Sequence, residues 1–227
     1  MVPSALVTGG SSGIGLAIAR VLAEEGHALT LAARTAERLE AAASELGALA
    51  VAADVSSEED CVRVVADHVA RHGGLDVLVN SAGVGFAARI ADMQTKRFDI
   101  QLGVNLRGTF LVTREALPHL RTSRGLVVNL ASIAGTIPTP GLAAYGAAKA
   151  AVISLTRSLA REEAESGVRA TALCPAFVAT PMTDWTGLAP EEMISPDDCA
   201  GLVRALLRLS PATRVPVIVL ERASDEV

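Results

Sequence analysis

Aromatic side chains are scarce in this 227-residue chain: four Phe, one Tyr and one Trp, 3% of the sequence. With half of the residues hydrophobic, the core must instead be packed from Ala, Val, Leu and Ile. Cysteine is scarce too. Cys61, Cys174 and Cys199 are too few and too scattered for a disulfide framework or a metal site, and no metal is expected. They suit a reducing, cytoplasmic setting, with Cys174 expected as a small buried residue on a strand. No apolar run reaches the roughly 20 residues of a membrane span. The start, MVPSALVTGG, carries no charged leader ahead of its apolar stretch, which argues against a secretory signal. Positive charge is not in excess either. The formal net charge is −5, which gives no reason to expect nucleic acid or a membrane surface as partner. There is no internal repeat, low-complexity segment or interdomain linker, and the length suits one domain, residues 1–227.

What the chain does have is a regular alternation. Ala5–Val7 reads as a strand, Thr8-Gly9-Gly10-Ser11-Ser12-Gly13-Ile14-Gly15 as a glycine-rich turn, and Leu16–Gly26 as a helix. Strand, glycine turn and helix start together make a phosphate cradle, because glycines admit close backbone approach and helix-start N–H groups face the anion. The spacing is G-x-x-x-G-x-G rather than G-x-G-x-x-G. Ala28–Ala33 is a second strand, ending at Arg34. In a dinucleotide fold this end meets the adenosine ribose, where an acid suits the 2′-hydroxyl of NAD and a base the 2′-phosphate of NADP. Arg34 is read as an NADP contact; otherwise it is a solvated arginine opening the helix Ala36–Leu46.

Strands follow at Ala48–Ala53, Leu75–Val79, Leu126–Leu130, Val168–Leu173 and Val215–Leu220. Ser57 with Glu58 and Glu59 marks a helix start, and that helix runs to about His72. His68 and His72 share a face but lack a third ligand, so a solvated face is expected. A long helical pattern is predicted from Asp92 to about Leu120, with Pro118 bending or ending it. It carries Asn105, a polar residue among apolar ones, either a buried amide with a role or a solvent-facing side chain. Thr183–Glu192 reads as a loop over the cleft, within a substrate loop of about 176–196. A helix is predicted at Pro196–Leu209 and a polar, frayed tail at Glu221–Val227. Seven such alternations argue an α/β fold with a parallel sheet covered on both faces.

The chemistry concentrates between Val127 and Ala151. Ser132 follows a strand, thirteen residues before Tyr145, and Lys149 lies one helical turn beyond. A hydroxyl, a phenol and an ammonium can thus meet in one cleft. A neighbouring ammonium favours the phenolate and is expected to lower the tyrosine pKa by about 1–3 units, fitting the phenol for proton transfer. A serine hydroxyl can hold the substrate oxygen as charge develops on it. The alternative is an ordinary helix-surface pair.

Together TGGSSGIG at 8–15, Asp54-Val55, NSAG at 80–83, Asn105, Ser132, Tyr145-x-x-x-Lys149 and the Pro175…Thr180 segment resemble the short-chain dehydrogenase/reductase family in its single-domain form, over nearly the whole chain. The resemblance implies a doubly wound Rossmann fold, a seven-stranded parallel sheet in order 3-2-1-4-5-6-7. It also implies hydride transfer between NAD(P) and a carbonyl or alcohol. Tyr145 looks like the general acid/base, and Lys149 like the group that tunes it and holds the nicotinamide ribose. Ser132 looks like the substrate-oxygen contact, and Asn105 like the holder of a relay water. Gly9, Ser11, Ser12, Ile14 and Gly15 would line the pyrophosphate, Arg34 the 2′-phosphate, Asp54 and Val55 the adenine, and Asn80 and Gly83 the region beside the adenine ribose. Thr180 would touch the carboxamide, and Gly13, Ala82, Pro175 and Val178 complete the implied cofactor contacts.

Three departures stand out. Ser81 replaces a second Asn, Ala176 replaces the Gly after strand six, and VPVIVLERASDEV lacks the family's Asp-Gly-Gly ending. A homodimer is therefore expected ahead of a homotetramer. The expected activity is an NADP-dependent oxidoreductase acting on a small ketone or aldehyde, or on a secondary alcohol in reverse. A 3-oxoacyl thioester reductase is the first rival, and a non-catalytic NADP-binding redox sensor the rival of another class. Val84, Phe86, Ile133, Phe177, Met182 and Trp185 suggest an apolar substrate pocket.

Overall fold

In the computed structural model, which describes residues 2–223, the alternation is realised almost as read. The elements are β1 (Ser4–Thr8), α1 (Gly13–Glu24), β2 (Ala28–Ala33), α2 (Ala36–Leu46), β3 (Leu49–Ala52), α3 (Glu58–His72), β4 (Val77–Asn80), α4 (Thr95–Leu102), α5 (Thr109–Ser123), β5 (Leu126–Leu130), α6 (Ala143–Glu162), β6 (Arg169–Pro175), α7 (Pro196–Arg208) and β7 (Val217–Leu220). The strands form one parallel sheet in the order β3-β2-β1-β4-β5-β6-β7, the expected doubly wound topology.

The core follows from the two-residue period of a strand. Ala5 and Val7 face one side, where Ile18, Leu22, Leu39 and Val203 bury against the sheet. Leu6 faces the other, with Val64, Val65, Leu78, Leu111 and Leu120. Each such side chain contributes about 1.5–3 kcal/mol by leaving water. No aromatic residue belongs to the buried core among the described residues, so the sparse aromatics are free for other places. Cys174 is fully buried on β6, as expected.

Three local readings are corrected. The single helix expected from Asp92 to Leu120 is instead a short turn at Ile90–Asp92, then α4 and α5 joined by a π-helical turn at Gly103–Gly108 that contains Asn105. A π turn accommodates one extra residue per turn, which helical periodicity does not reveal. Arg107 fastens this turn by donating to the Ser56 carbonyl at 2.7 Å and to Glu58 at 3.0 Å. Secondly, Pro118 does not end the helix. α5 continues to Ser123, because Leu111, Val112, Ala116 and Leu120 pack into the core and outweigh the one hydrogen bond that proline forfeits.

Thirdly, His68 is not solvated but fully buried between α3 and the starts of β1 and β2. Its Nδ1 lies 2.9 Å from Thr30 Oγ1 and its Nε2 3.2 Å from Ser4 Oγ. Ser4 donates its own proton to the Gly74 carbonyl at 2.8 Å. The Ser4 oxygen must therefore accept from His68 Nε2–H, which leaves Nδ1 to accept from Thr30, a neutral ring. Burial pushes the His68 pKa down to about 4 from its ordinary 6.5. With the folded value below the unfolded one, the stabilisation is complete above pH 6.5. It is lost as pH falls toward 4. Between pH 7 and pH 5 the native chain is expected to lose about 2 kcal/mol more than a His68→Gln variant does. Urea unfolding at both pH values measures this, and parallel losses in the two proteins would refute it.

Candidate active site

The site lies at the carboxyl ends of the strands, where β5 runs into α6. Ser132 leaves β5 in an extended conformation and caps a short 3-10 turn, Ile133–Gly135, accepting from Ala134 N–H at 3.2 Å. This turn packs backbone to backbone on α6. A Cβ on Gly135 would lie 2.7 Å from Ala150 N, and one on Gly146 2.6 Å from the Ala134 carbonyl oxygen. Only glycine permits that approach, which brings Ser132 beside Tyr145. Its hydroxyl donates to the Pro175 carbonyl at 3.4 Å and favours the ionised form of the neighbouring phenol. Lys149 shares the Tyr145 face of α6, with Nζ 5.6 Å from the ring centroid.

Electrostatics differ from the sequence expectation. Burial raises the Tyr145 pKa above its ordinary value, and the nearby Ser132 hydroxyl opposes this only in part. Lys149 is buried and donates to the Leu130 carbonyl at 2.6 Å. The same loss of solvent brings its ammonium down to about 8. Instead of the lowering expected from the ammonium, desolvation raises the phenol, and Tyr145 is protonated at neutral pH.

Two adjoining cavities meet here. The larger, about 480 Å³, is lined by Ser132, Tyr145 and Lys149 and by apolar Ile133, Leu142, Phe177, Met182 and Trp185. The smaller, about 260 Å³, is lined by Gly9, Ser11, Ser12, Gly13, Arg34, Asp54, Val55 and Ala82. Ile14, Ser81, Gly83, Thr180 and Met182 line both, so the two form one continuous cleft. Pro175 and Val178 line the larger part. Val84 and Phe86, expected in the apolar pocket, do not line it.

The smaller part suits an anion. α1 starts at Gly13 behind an extended Ser12 that makes no side-chain cap, and no acid occupies its first turn, so its leading N–H groups face the cleft unclaimed. Arg34 stands at the far end together with Arg38, a residue that the sequence reading passed over. Its signal is its place in the first turn of the helix that follows Arg34.

Three expected contacts are placed differently. Asn80 does not line the cleft. Opposite Asn129 in the β4–β5 register, it donates to Asn129 Oδ1 at 2.8 Å and to Thr113 at 3.0 Å, tying the sheet to α5. Gly15 lies behind the turn. Asn105 is buried, but both ends of its amide engage the Val84 backbone, accepting at 2.9 Å and donating at 2.8 Å. In this structure it fixes the loop after β4 rather than facing the cleft. Ala176 carries no positive φ, so the replaced glycine leaves no strain there. The loop expected over the cleft closes at its base through a bridge between Val178 and Ile194, and Thr183 donates to the Val178 carbonyl at 2.6 Å. The reading of the tail as frayed is corrected at its start: Glu221 lines the larger cavity, because Leu220 accepts from Ala176 N–H at 2.8 Å. The rest of that reading, Ser224–Val227, lies outside the described residues.

A sequence profile of the short chain dehydrogenase family matches residues 3–189. An uncharacterized oxidoreductase of Staphylococcus epidermidis is 40% identical over 205 residues, spanning 88% of each chain. The alcohol dehydrogenase of the archaeon Thermococcus sibiricus, complexed with 5-hydroxy-NADP, superimposes with a TM-score of 0.93 at 32% identity, covering 100% of this chain and 99% of that one. The 3-ketoacyl-(acyl-carrier-protein) reductase of Brucella melitensis, complexed with NADH, does so with a TM-score of 0.89 at 33% identity, covering 96% and 95%. Among the described residues, no helix is long and apolar enough to cross a membrane.

Proposed function

Since the chain belongs to the short-chain dehydrogenase family of oxidoreductases, we propose that it reduces a small ketone or aldehyde with NADPH, or oxidises the corresponding alcohol. The observation that carries this reading is the meeting of Ser132, Tyr145 and Lys149 in one apolar cavity that opens onto an anion-ready cleft. The cleft would hold a nicotinamide cofactor, which when bound would supply or accept the hydride. Gly9, Ser11, Ser12, Gly13 and Ile14 hold the diphosphate against the α1 N-terminus, with Gly15 behind them. Asp54, Val55, Ala82 and Gly83 flank the adenosine. Arg34 takes the 2′-phosphate, with Arg38 beside it.

The chain's own groups perform the proton chemistry. Ser132 donates a hydrogen bond to the substrate oxygen and fixes its position. Tyr145, protonated at neutral pH, gives its phenolic proton to that oxygen as negative charge develops, and regains one from solvent. Lys149, held by the Leu130 carbonyl, places positive charge behind the phenol and stabilises it as the proton departs. Thr180, Pro175 and Val178 shape the junction of the two cavities. Asn105 acts as a positioning residue through Val84. Exposed Phe110 on α5 and Ala143, Ala147 and Ala150 on α6 support a homodimer through helix faces in a cytoplasmic enzyme.

A 3-oxoacyl thioester is the second reading, favoured by the similarity to the Brucella reductase. The first test is titration of the protein with NADPH and NADH, then a panel of carbonyl compounds on the same sample. NADPH-selective binding and oxidation on adding a ketone or aldehyde are expected. Tight binding without oxidation of either cofactor across the panel would favour a sensor instead. Arg34→Asp is expected to weaken NADPH by about tenfold or more and to raise the NADH to NADPH preference. An unchanged ratio would refute the role given to Arg34.

A further inference from the structure

The larger cavity gathers what the rest of the chain lacks. Of six aromatic residues in the sequence, Tyr145, Phe177 and Trp185 line it. Its charged lining groups among the described residues are Lys149 and Glu221 alone. They serve different ends. Lys149 is buried beside Tyr145, at the chemical end, whereas Glu221 is exposed on the rim. Phe177 adjoins Glu221 through the Ala176–Leu220 hydrogen bond. Trp185 meets Phe177 edge to face, centroids 6.1 Å apart at 84°, and is 60% exposed. Phe177 already carries a cation, since the Arg222 guanidinium lies 5.6 Å over its ring without lining the cavity.

A carboxylate and an exposed indole lining the same rim are the chemistry that holds an ammonium group. We propose that Glu221 and Trp185, with Phe177 behind the indole, recognise the cationic end of the substrate, and that the preferred substrate is a carbonyl compound bearing a remote ammonium group, an amino ketone or amino aldehyde. This rests on the reading of the same cavity as a carbonyl-reducing site. The two charges set the orientation. Lys149 repels the ammonium from the chemical end, and Glu221 draws it to the rim, leaving the carbonyl toward Ser132 and Tyr145. An anionic substrate would meet Glu221 and find no arginine lining the cavity to pair with. The reaction balances as an ordinary two-electron reduction. The carbonyl carbon gains a hydride and its oxygen a proton, the dihydronicotinamide is oxidised, and the ammonium nitrogen keeps all its bonds.

The test uses the full chain and two ketones of equal length. One ends in a trimethylammonium group remote from the carbonyl and the other in its uncharged tert-butyl isostere. With NADPH, the wild type is expected to favour the cationic ketone in kcat/KM by roughly tenfold or more, and Glu221→Gln to bring that ratio near one. Trp185 is the only tryptophan in the sequence, so its fluorescence reports binding at the rim without turnover. The cationic ketone is expected to quench it at a concentration about tenfold lower than the isostere does. Equal kcat/KM for the two ketones in the wild type overturns the proposal while leaving the reductase reading intact. A preference that survives Glu221→Gln removes Glu221 from the recognition. If neither these nor any other ketone oxidises NADPH, the reductase reading fails, and this proposal with it.

Discussion

Replacing Tyr145 by Phe is expected to lower kcat by about 10²–10⁴-fold, the usual worth of a positioned acid or base. The change removes one hydroxyl and keeps the ring. The ring's packing on α6 therefore persists, and so does the Lys149 hydrogen bond to Leu130 at 2.6 Å. Ser132 remains to hold the substrate oxygen, but nothing in its place delivers a proton. Cofactor affinity is expected to stay close to that of the native protein, because the residues assigned to the phosphates and adenosine line the smaller cavity and Tyr145 does not. Steady-state kinetics together with an NADPH fluorescence titration separate the two effects. A kcat within tenfold of the native value would take Tyr145 out of the proton transfer. Because burial raises the phenol pKa, the effect in the reducing direction is expected to be full at neutral pH, where the phenol carries its proton.

Gly15→Ala is expected to cost about 3 kcal/mol of stability or more and to weaken the cofactor with it. A Cβ at position 15 would press on the Gly9 carbonyl, 2.9 Å from its carbon, and 3.1 Å from Ser81 Oγ. Gly9 cannot retreat. Its N–H donates to Ala32 at 2.8 Å, its φ is +68°, and a Cβ there would lie 2.7 Å from Ala82 N. The turn is thus clamped between its own helix and the end of β4, and any shift moves the backbone that meets the phosphates. Gly201 on α7 is the control: nothing lies within 4 Å of a Cβ there. Gly201→Ala is expected to be neutral or to stabilise by about 0.5–1 kcal/mol through helix propensity. Urea unfolding of both variants decides the matter, and equal stabilities would refute the clamp.

These glycines show what was and was not legible. Their spacing after a short apolar run marked a strand–turn–helix junction, and that reading rests on local geometry alone. The sequence did not reveal that Gly9 and Gly15 are needed chiefly for contacts of the turn with itself and with Ser81–Ala82. Tyr145 and Lys149 were legible because a helix puts residues four apart on one face whatever surrounds it. The direction of the Tyr145 pKa was not legible, since it depends on how much solvent the folded cleft removes. Asn105 read as either a buried amide or a solvent-facing side chain, and its bonding to Val84 needed a π turn, which a periodicity of 3.6 conceals. His68 read as surface on a polar helix face, and the starts of β1 and β2 supplied the hydroxyls that bury it.

What the sequence by itself determined is therefore what depends on neighbours a few residues away: the strands, the helices, their alternation and thence a doubly wound parallel sheet, the glycine-rich turn, and the pairing of Tyr145 and Lys149 on one helix face. Only the tertiary structure decided what depends on segments far apart in the chain. Gly135 and Gly146 close the gap between Ser132 and Tyr145, Asn80 is turned into the sheet rather than the cleft, and Glu221 from the chain's end is brought to the rim beside Phe177 and Trp185. Local preference acts through the backbone of adjacent residues, whereas burial, charge and exposure in the cleft are set by whichever distant residues the sheet order brings together.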